Sequence, residues 1–153
     1  MLFSSLLLAA QFPEDWVGIY EGEVSGAATP TIMRLRIEKL CDDRYRWAIQ
    51  YSGESERAYE LITIDKKAGK YIVDEKNGIV IDHFLREGTL YSAFTVNSKW
   101  IVFKYTLNDK GILIESQFFS TTPSRTSGTD QFRVESFLLA NIQRGLLKRA
   151  GDP

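Results

Sequence analysis

The sequence predicts an all-β chain: an antiparallel up-and-down meander of about ten strands that closes into a barrel. Three observations predict it. Short segments alternate apolar and polar residues with period two, the pattern of a strand with one buried face. Turn chemistry recurs about every ten positions, as in an all-β meander. No connection is long enough for the crossover helix that parallel neighbours require. A meander of this length leaves two hazardous edges unless the sheet curls shut, which favours a barrel over the alternative two-sheet sandwich.

The elements follow in order. Residues 16–24 (WVGIYEGEV) put Trp16, Gly18, Tyr20 and Gly22 on one face, with glycines where a barrel strand bends or a neighbour comes close. After the turn cluster 25–30, residues 31–40 alternate Met33, Leu35 and Ile37 against Arg34, Arg36 and Glu38. Residues 45–51 set Tyr45, Trp47, Ile49 and Tyr51 against Arg46, Ala48 and Gln50. Strands are expected at 57–65, 71–75, 79–87, 89–96, 99–107 and 112–120, separated by tight turns. Asn77-Gly78 is the strongest two-residue hairpin signal among these turns. Residues 121–131 (TTPSRTSGTDQ) lack apolar side chains and read as a loop, either a flexible connection or a lid over a barrel mouth. Residues 132–149 read as one bulged strand, two short strands or a terminal helix; the β-rich context and Gly145 favour strands at 132–138 and 141–147.

Length and composition fit one domain, a barrel over 12–149 with a tail at 150–153. Aromatics reach 12%, a composition that suits strands. A net charge of −1 with mixed signs gives no field to draw nucleic acid or acidic lipid. The single cysteine, Cys41, cannot form an intramolecular disulfide, and with one histidine, His83, no recognisable zinc spacing exists. Residues 1–11 form an apolar segment. Its run MLFSSLLLAA reads either as a secretory signal, which implies a secreted or periplasmic protein, or as a helix capping one barrel end in a cytoplasmic one. Ten residues are too few for a membrane span of about 20.

The opening Trp16-x-Gly18-x-Tyr20-x-Gly22, the meander and the basic last strand together resemble the lipocalin-like, or calycin, group of barrels. The resemblance implies a barrel closed at one end by an arginine of the last strand packed over the first-strand tryptophan. Arg144 over Trp16 is the best match, with Arg149 second; Glu14 stands where the family has a glycine. The six residues after Val24 leave no room for the helix pair of the fatty-acid-binding branch, and His83 is mid-chain rather than late as a haem ligand would be.

The aromatic set Tyr20, Tyr45, Trp47, Tyr51, Tyr91, Phe94, Trp100, Phe103 and Tyr105 either lines an apolar cavity or fills the core. The candidate lining is Tyr45, Trp47, Tyr51, His83, Phe94, Phe103 and Tyr105. His83 alternates to the opposite face from Asp82, so the two are not a base and its orienting acid. Glu115, Ser116, Gln117, Glu135 and Ser136 are either pocket groups or exposed strand residues. Residues 79–87 and 99–107 are apolar on both faces, which suggests burial on both sides, through contact with a second copy of the chain or through the N-terminal segment. No nucleophile elbow, phosphate loop, zinc spacing or dinucleotide fingerprint appears, so no catalytic residue, cofactor or metal is assigned. The leading expectation is a non-enzymatic binding protein for a small apolar or amphipathic ligand. The alternatives are an isomerase- or lyase-type enzyme using His83 or a pocket Tyr or Glu, and a filled barrel serving as a structural or interaction module.

Overall fold

The computed structural model describes residues 10–26 and 29–150, so the apolar run at 1–9 and the tail at 151–153 lie outside it. Ten strands follow one another: β1 (Gly18–Ser25), β2 (Thr31–Cys41), β3 (Arg44–Tyr51), β4 (Arg57–Asp65), β5 (Lys70–Asp74), β6 (Val80–Arg86), β7 (Thr89–Val96), β8 (Lys99–Asn108), β9 (Gly111–Gly128) and β10 (Arg133–Arg149). Each pairs antiparallel with the next, and β1 pairs with β10, so the meander is a closed barrel.

Alternation decides which side chains face inward. Met33, Leu35 and Ile37 of β2 are buried, as are Tyr45 and Trp47 of β3, while Arg36, Glu38 and Arg46 form ion pairs outside. Trp16 departs from the expected strand. It ends a short 3-10 turn (Glu14–Trp16) and drives its indole into one end of the barrel. Phe12 packs edge-on against Trp16 (4.8 Å between ring centroids) and Tyr71 (4.9 Å). These rings, with Tyr20, Leu61, Leu90, Ile112 and Leu147, fill the lower half of the barrel. This end is plugged by side chains, as small barrels are when no ligand space is left.

The basic residue that closes the plugged end is Arg149, not Arg144. On β10, Gly145, Leu147 and Arg149 share one face, and Arg144 falls on the other, paired in register with Ser25 near the far end of β1. Arg144 is exposed and donates from Nε to Glu115 at 2.9 Å. Arg149, five residues further along, pairs with Tyr20, and its guanidinium lies over the Tyr20 ring rather than over Trp16.

Most of the segment 121–131 is not a loop: 121–128 is strand, and only 129–131 belongs to the turn before β10. β8 stops pairing at Lys99↔Ser120, but β9 continues against β10 as far as Gly128↔Arg133. The result is a two-stranded ribbon that extends beyond the last β8 pairing, about 27 Å long at about 3.4 Å per residue over 121–128. Serine and threonine suit an extended edge as well as a loop, and the low apolar content hides a strand whose faces both meet solvent. The terminal segment is one bulged strand, with register shifts between Ser136 and Asn141. Phe137 packs edge-on against Trp100 of β8 at 5.2 Å, tying the ribbon to the outer wall, while Phe132 at its tip is 73% exposed.

Candidate functional site

The end opposite the plug is open. The turns after β3, β5 and β7 ring this mouth, and the β9–β10 ribbon rises beside it. Below the rim is a cavity of about 200 Å³. The barrel is therefore both of the things the aromatic composition allowed, a filled core below and a cavity above.

Of the seven candidate lining residues, the structure brings Trp47, Tyr51, His83, Phe94, Phe103 and Tyr105 together around this space. Tyr45 is the exception. It shares a face with Trp47 but sits at the plugged end, where it borders a shallow hollow with Pro13, Glu14 and Lys66. Tyr91 and Trp100 alternate to the outer surface, and Tyr20 belongs to the packed floor.

Three strands supply an aromatic wall. Phe103 of β8 stacks in parallel with Phe94 of β7 (6.3 Å, 4° between planes) and with Tyr105 (5.8 Å, 12°). Trp47 meets Tyr105 edge-on at 5.4 Å and separates the cavity from the packed lower half. Ile49, Val73 and Ile81 complete the apolar lining.

His83 is 6% exposed and faces inward because β6 alternates against Tyr71 and Val73 of β5. Its Nδ1 lies 3.0 Å from the Ile81 carbonyl oxygen. A carbonyl only accepts, so Nδ1 carries the proton and Nε2 of the neutral ring is an acceptor. Burial holds the ring below its ordinary pKa, which keeps it neutral. Nε2 has no protein partner among the described residues. No described side-chain nitrogen or oxygen is both sealed from solvent and unpartnered, so Nε2 opens to the cavity. Ser92 of β7 is buried as well and lines the same cavity.

The rim is more polar. Arg57 and Tyr59 alternate inward on β4 above Leu61, and Tyr51 and Glu75 border the same side of the mouth. Arg57 donates to Glu54 on the solvent side at 3.1 Å, and its pKa is raised first by a hydrogen bond with Tyr59 and then by the charge of Glu54. Burial pushes the Tyr51 and Tyr105 phenols up, so both remain protonated donors. Sequence reasoning missed Arg57, Tyr59, Glu75 and Ser92. The signal was available for the two β4 residues, which alternate with the apolar Leu61, but nothing in the sequence gave the face of that strand.

The carboxylates considered for acid–base work are outside. Glu115 pairs with Arg144 and Lys104, and Glu135 with Arg133 on the ribbon. Ser116 does point inward, with its hydroxyl 3.5 Å from Gln143 Oε1. Among the described residues no group of three or more His, Cys, Asp or Glu side chains could hold a metal ion. No helix among them is long and apolar enough to cross a membrane. No family model, curated protein or solved structure matches the chain.

Proposed function

We propose that this barrel is a lipocalin-like binding protein that holds a small amphipathic ligand in the upper cavity and acts by binding rather than by catalysis. The observation that carries this reading is the asymmetry of the barrel. One end is packed solid by Phe12 and Trp16, and the other opens on a space of about 200 Å³. That space has an aromatic wall and a few convergent polar groups, the usual make-up of a small-molecule site. Against catalysis stands the setting of His83. Its ring is fixed by the carbonyl of Ile81 rather than by a carboxylate, and Glu75 is the only acidic residue among the described ones that line the cavity. A general base normally has an acid in hydrogen-bond contact to orient it, whereas the charged neighbour of His83, Asp82, lies on the opposite, exposed face of β6.

Native mass spectrometry of gently purified protein tests the reading. A mass in excess of the polypeptide that is lost on denaturation is the expected result. A bare polypeptide mass, with no uptake from a panel of small aromatic and aliphatic compounds, overturns it in favour of an interaction module.

A further inference from the structure

The cavity has two chemically different ends, and together they specify a class of ligand; the inference rests on the binding reading above. At the inner end, His83 offers an acceptor, Nε2, and Ser92 a hydroxyl. Among the described residues no cation lines that end. Among the lining residues Arg57 is the only cation, and it sits at the rim. An anionic group would be stranded at the inner end without a counter-charge, whereas a neutral donor would satisfy Nε2.

At the outer end Arg57 already takes a carboxylate, that of Glu54, in an exposed contact three residues apart along the chain. Such pairs contribute little, so a ligand carboxylate can replace Glu54 at small cost. A guanidinium is matched to a carboxylate in shape as well as charge.

Between the ends, the parallel rings of Phe94 and Phe103 suit a flat body. The volume sets its size. An apolar cavity of about 150 Å³ takes one benzene ring, and this one, at about 200 Å³, has room for a single ring with a short polar arm. We propose that the cavity binds a small planar aromatic acid, with a hydroxyl or N–H donor turned inward on His83 Nε2 and the carboxylate turned outward on Arg57.

Calorimetric titration of the full chain with three probes tests this: 4-hydroxyphenylacetate, 4-methylphenylacetate of nearly the same shape but without the donor, and octanoate. The hydroxy acid is expected to bind about tenfold more tightly than its methyl analogue, the worth of one buried hydrogen bond. Arg57→Met is expected to weaken both aromatic acids alike while leaving the ratio between them intact. Equal binding of the two aromatic acids, or binding of octanoate in preference to them, overturns the ligand class and leaves the binding reading standing. Binding of none of the three also overturns the class, and the binding reading is then decided by the native mass spectrum.

Discussion

The guanidinium of Arg149 lies 5.0 Å from the centroid of the Tyr20 ring and donates to its phenol oxygen at 2.8 Å. The same side chain donates to the carbonyl oxygens of Val17 (3.0 Å) and Asp15 (3.4 Å). One residue thus joins the last strand, the first strand and the turn that carries the Trp16 plug. Arg149→Met removes the ring contact and three hydrogen bonds. Because the group is largely exposed, the expected loss is modest, about 1–2 kcal/mol. Urea denaturation measures it. Arg149→Lys should recover less than half, since an ammonium cannot reach all these acceptors at once. If Arg149→Met unfolds at the same urea concentration as the parent, the residue is not a closure device.

β1 and β10 meet closely at Gly22. A Cβ built there would stand 2.0 Å from the Leu146 carbonyl oxygen, a backbone atom that cannot move aside without opening the seam. Gly22→Ala is therefore expected to cost on the order of 3 kcal/mol, although alanine is otherwise a mild change. The comparison is Ala48, buried on β3, whose replacement by Gly creates only a small void. Thermal melts of the two variants should place Gly22→Ala well below Ala48→Gly. The reverse order would mean that the seam relaxes easily.

These two residues also mark how far the sequence could be read. The meander, its turns and the inward faces of β2 and β3 follow from period-two alternation, and Gly22 was visible as a place of close approach. What alternation cannot supply is the height of a residue along the barrel. Tyr45 and Trp47 share a face, yet one belongs to the plugged end and the other to the cavity floor, because strand tilt and the depth of the plug decide where filling stops. Arg144 and Arg149 differ in the same way, by one step of parity and five residues of height. The ribbon was missed for another reason. A strand was expected at 132–138, but its partner, residues 121–128 of β9, buries little and carries no hydrophobic period to detect.

His83 makes stability depend on pH. Its folded pKa lies below the ordinary 6.5 because burial disfavours the charged ring. As pH falls through 6.5, the unfolded chain takes up a proton that the native state refuses. Stability is expected to be flat between about pH 7 and 8 and to decline with acidification from about 6.5 down to the folded pKa. The paired carboxyls behave differently. Glu38, held down first by Arg36, and Glu60, held down first by Lys76, have folded pKa values below 4.5, so their contribution is lost only in more acidic solution. Urea midpoints at about pH 8, 7, 6, 5, 4 and 3 separate the two windows. His83→Asn should flatten the upper one, and an unchanged slope in that variant would assign the effect to another group.

The ribbon is expected to be dispensable for folding. Beyond Ser120 and before Leu139, β9 and β10 pair only with each other, apart from the contact of Phe137 with Trp100 and a single bond from the Thr121 N–H to the Ser98 carbonyl. A two-stranded hairpin adds little stability by itself in water. Replacing residues 122–137 by a short Asn-Gly turn should change the melting temperature by no more than a few degrees. Circular dichroism during thermal unfolding reads the result. A large loss would show that the ribbon supports the mouth from which it rises.

The three tryptophans sit in three different places, which makes fluorescence a local probe. Trp16 is sealed in the plug, Trp47 forms the cavity floor against Tyr105, and Trp100 lies on the outer wall beneath Phe137. Iodide should quench Trp100 and leave the other two nearly untouched, since both are about 1% exposed. A compound that enters the cavity reaches Trp47 alone. Trp16→Phe and Trp100→Phe variants should therefore keep the full emission change on titration with such a compound, and Trp47→Phe should abolish it while calorimetry still detects heat of binding. A signal that survives in Trp47→Phe but disappears in Trp100→Phe would put the bound compound on the outer wall beside the ribbon, and the cavity would no longer be the site.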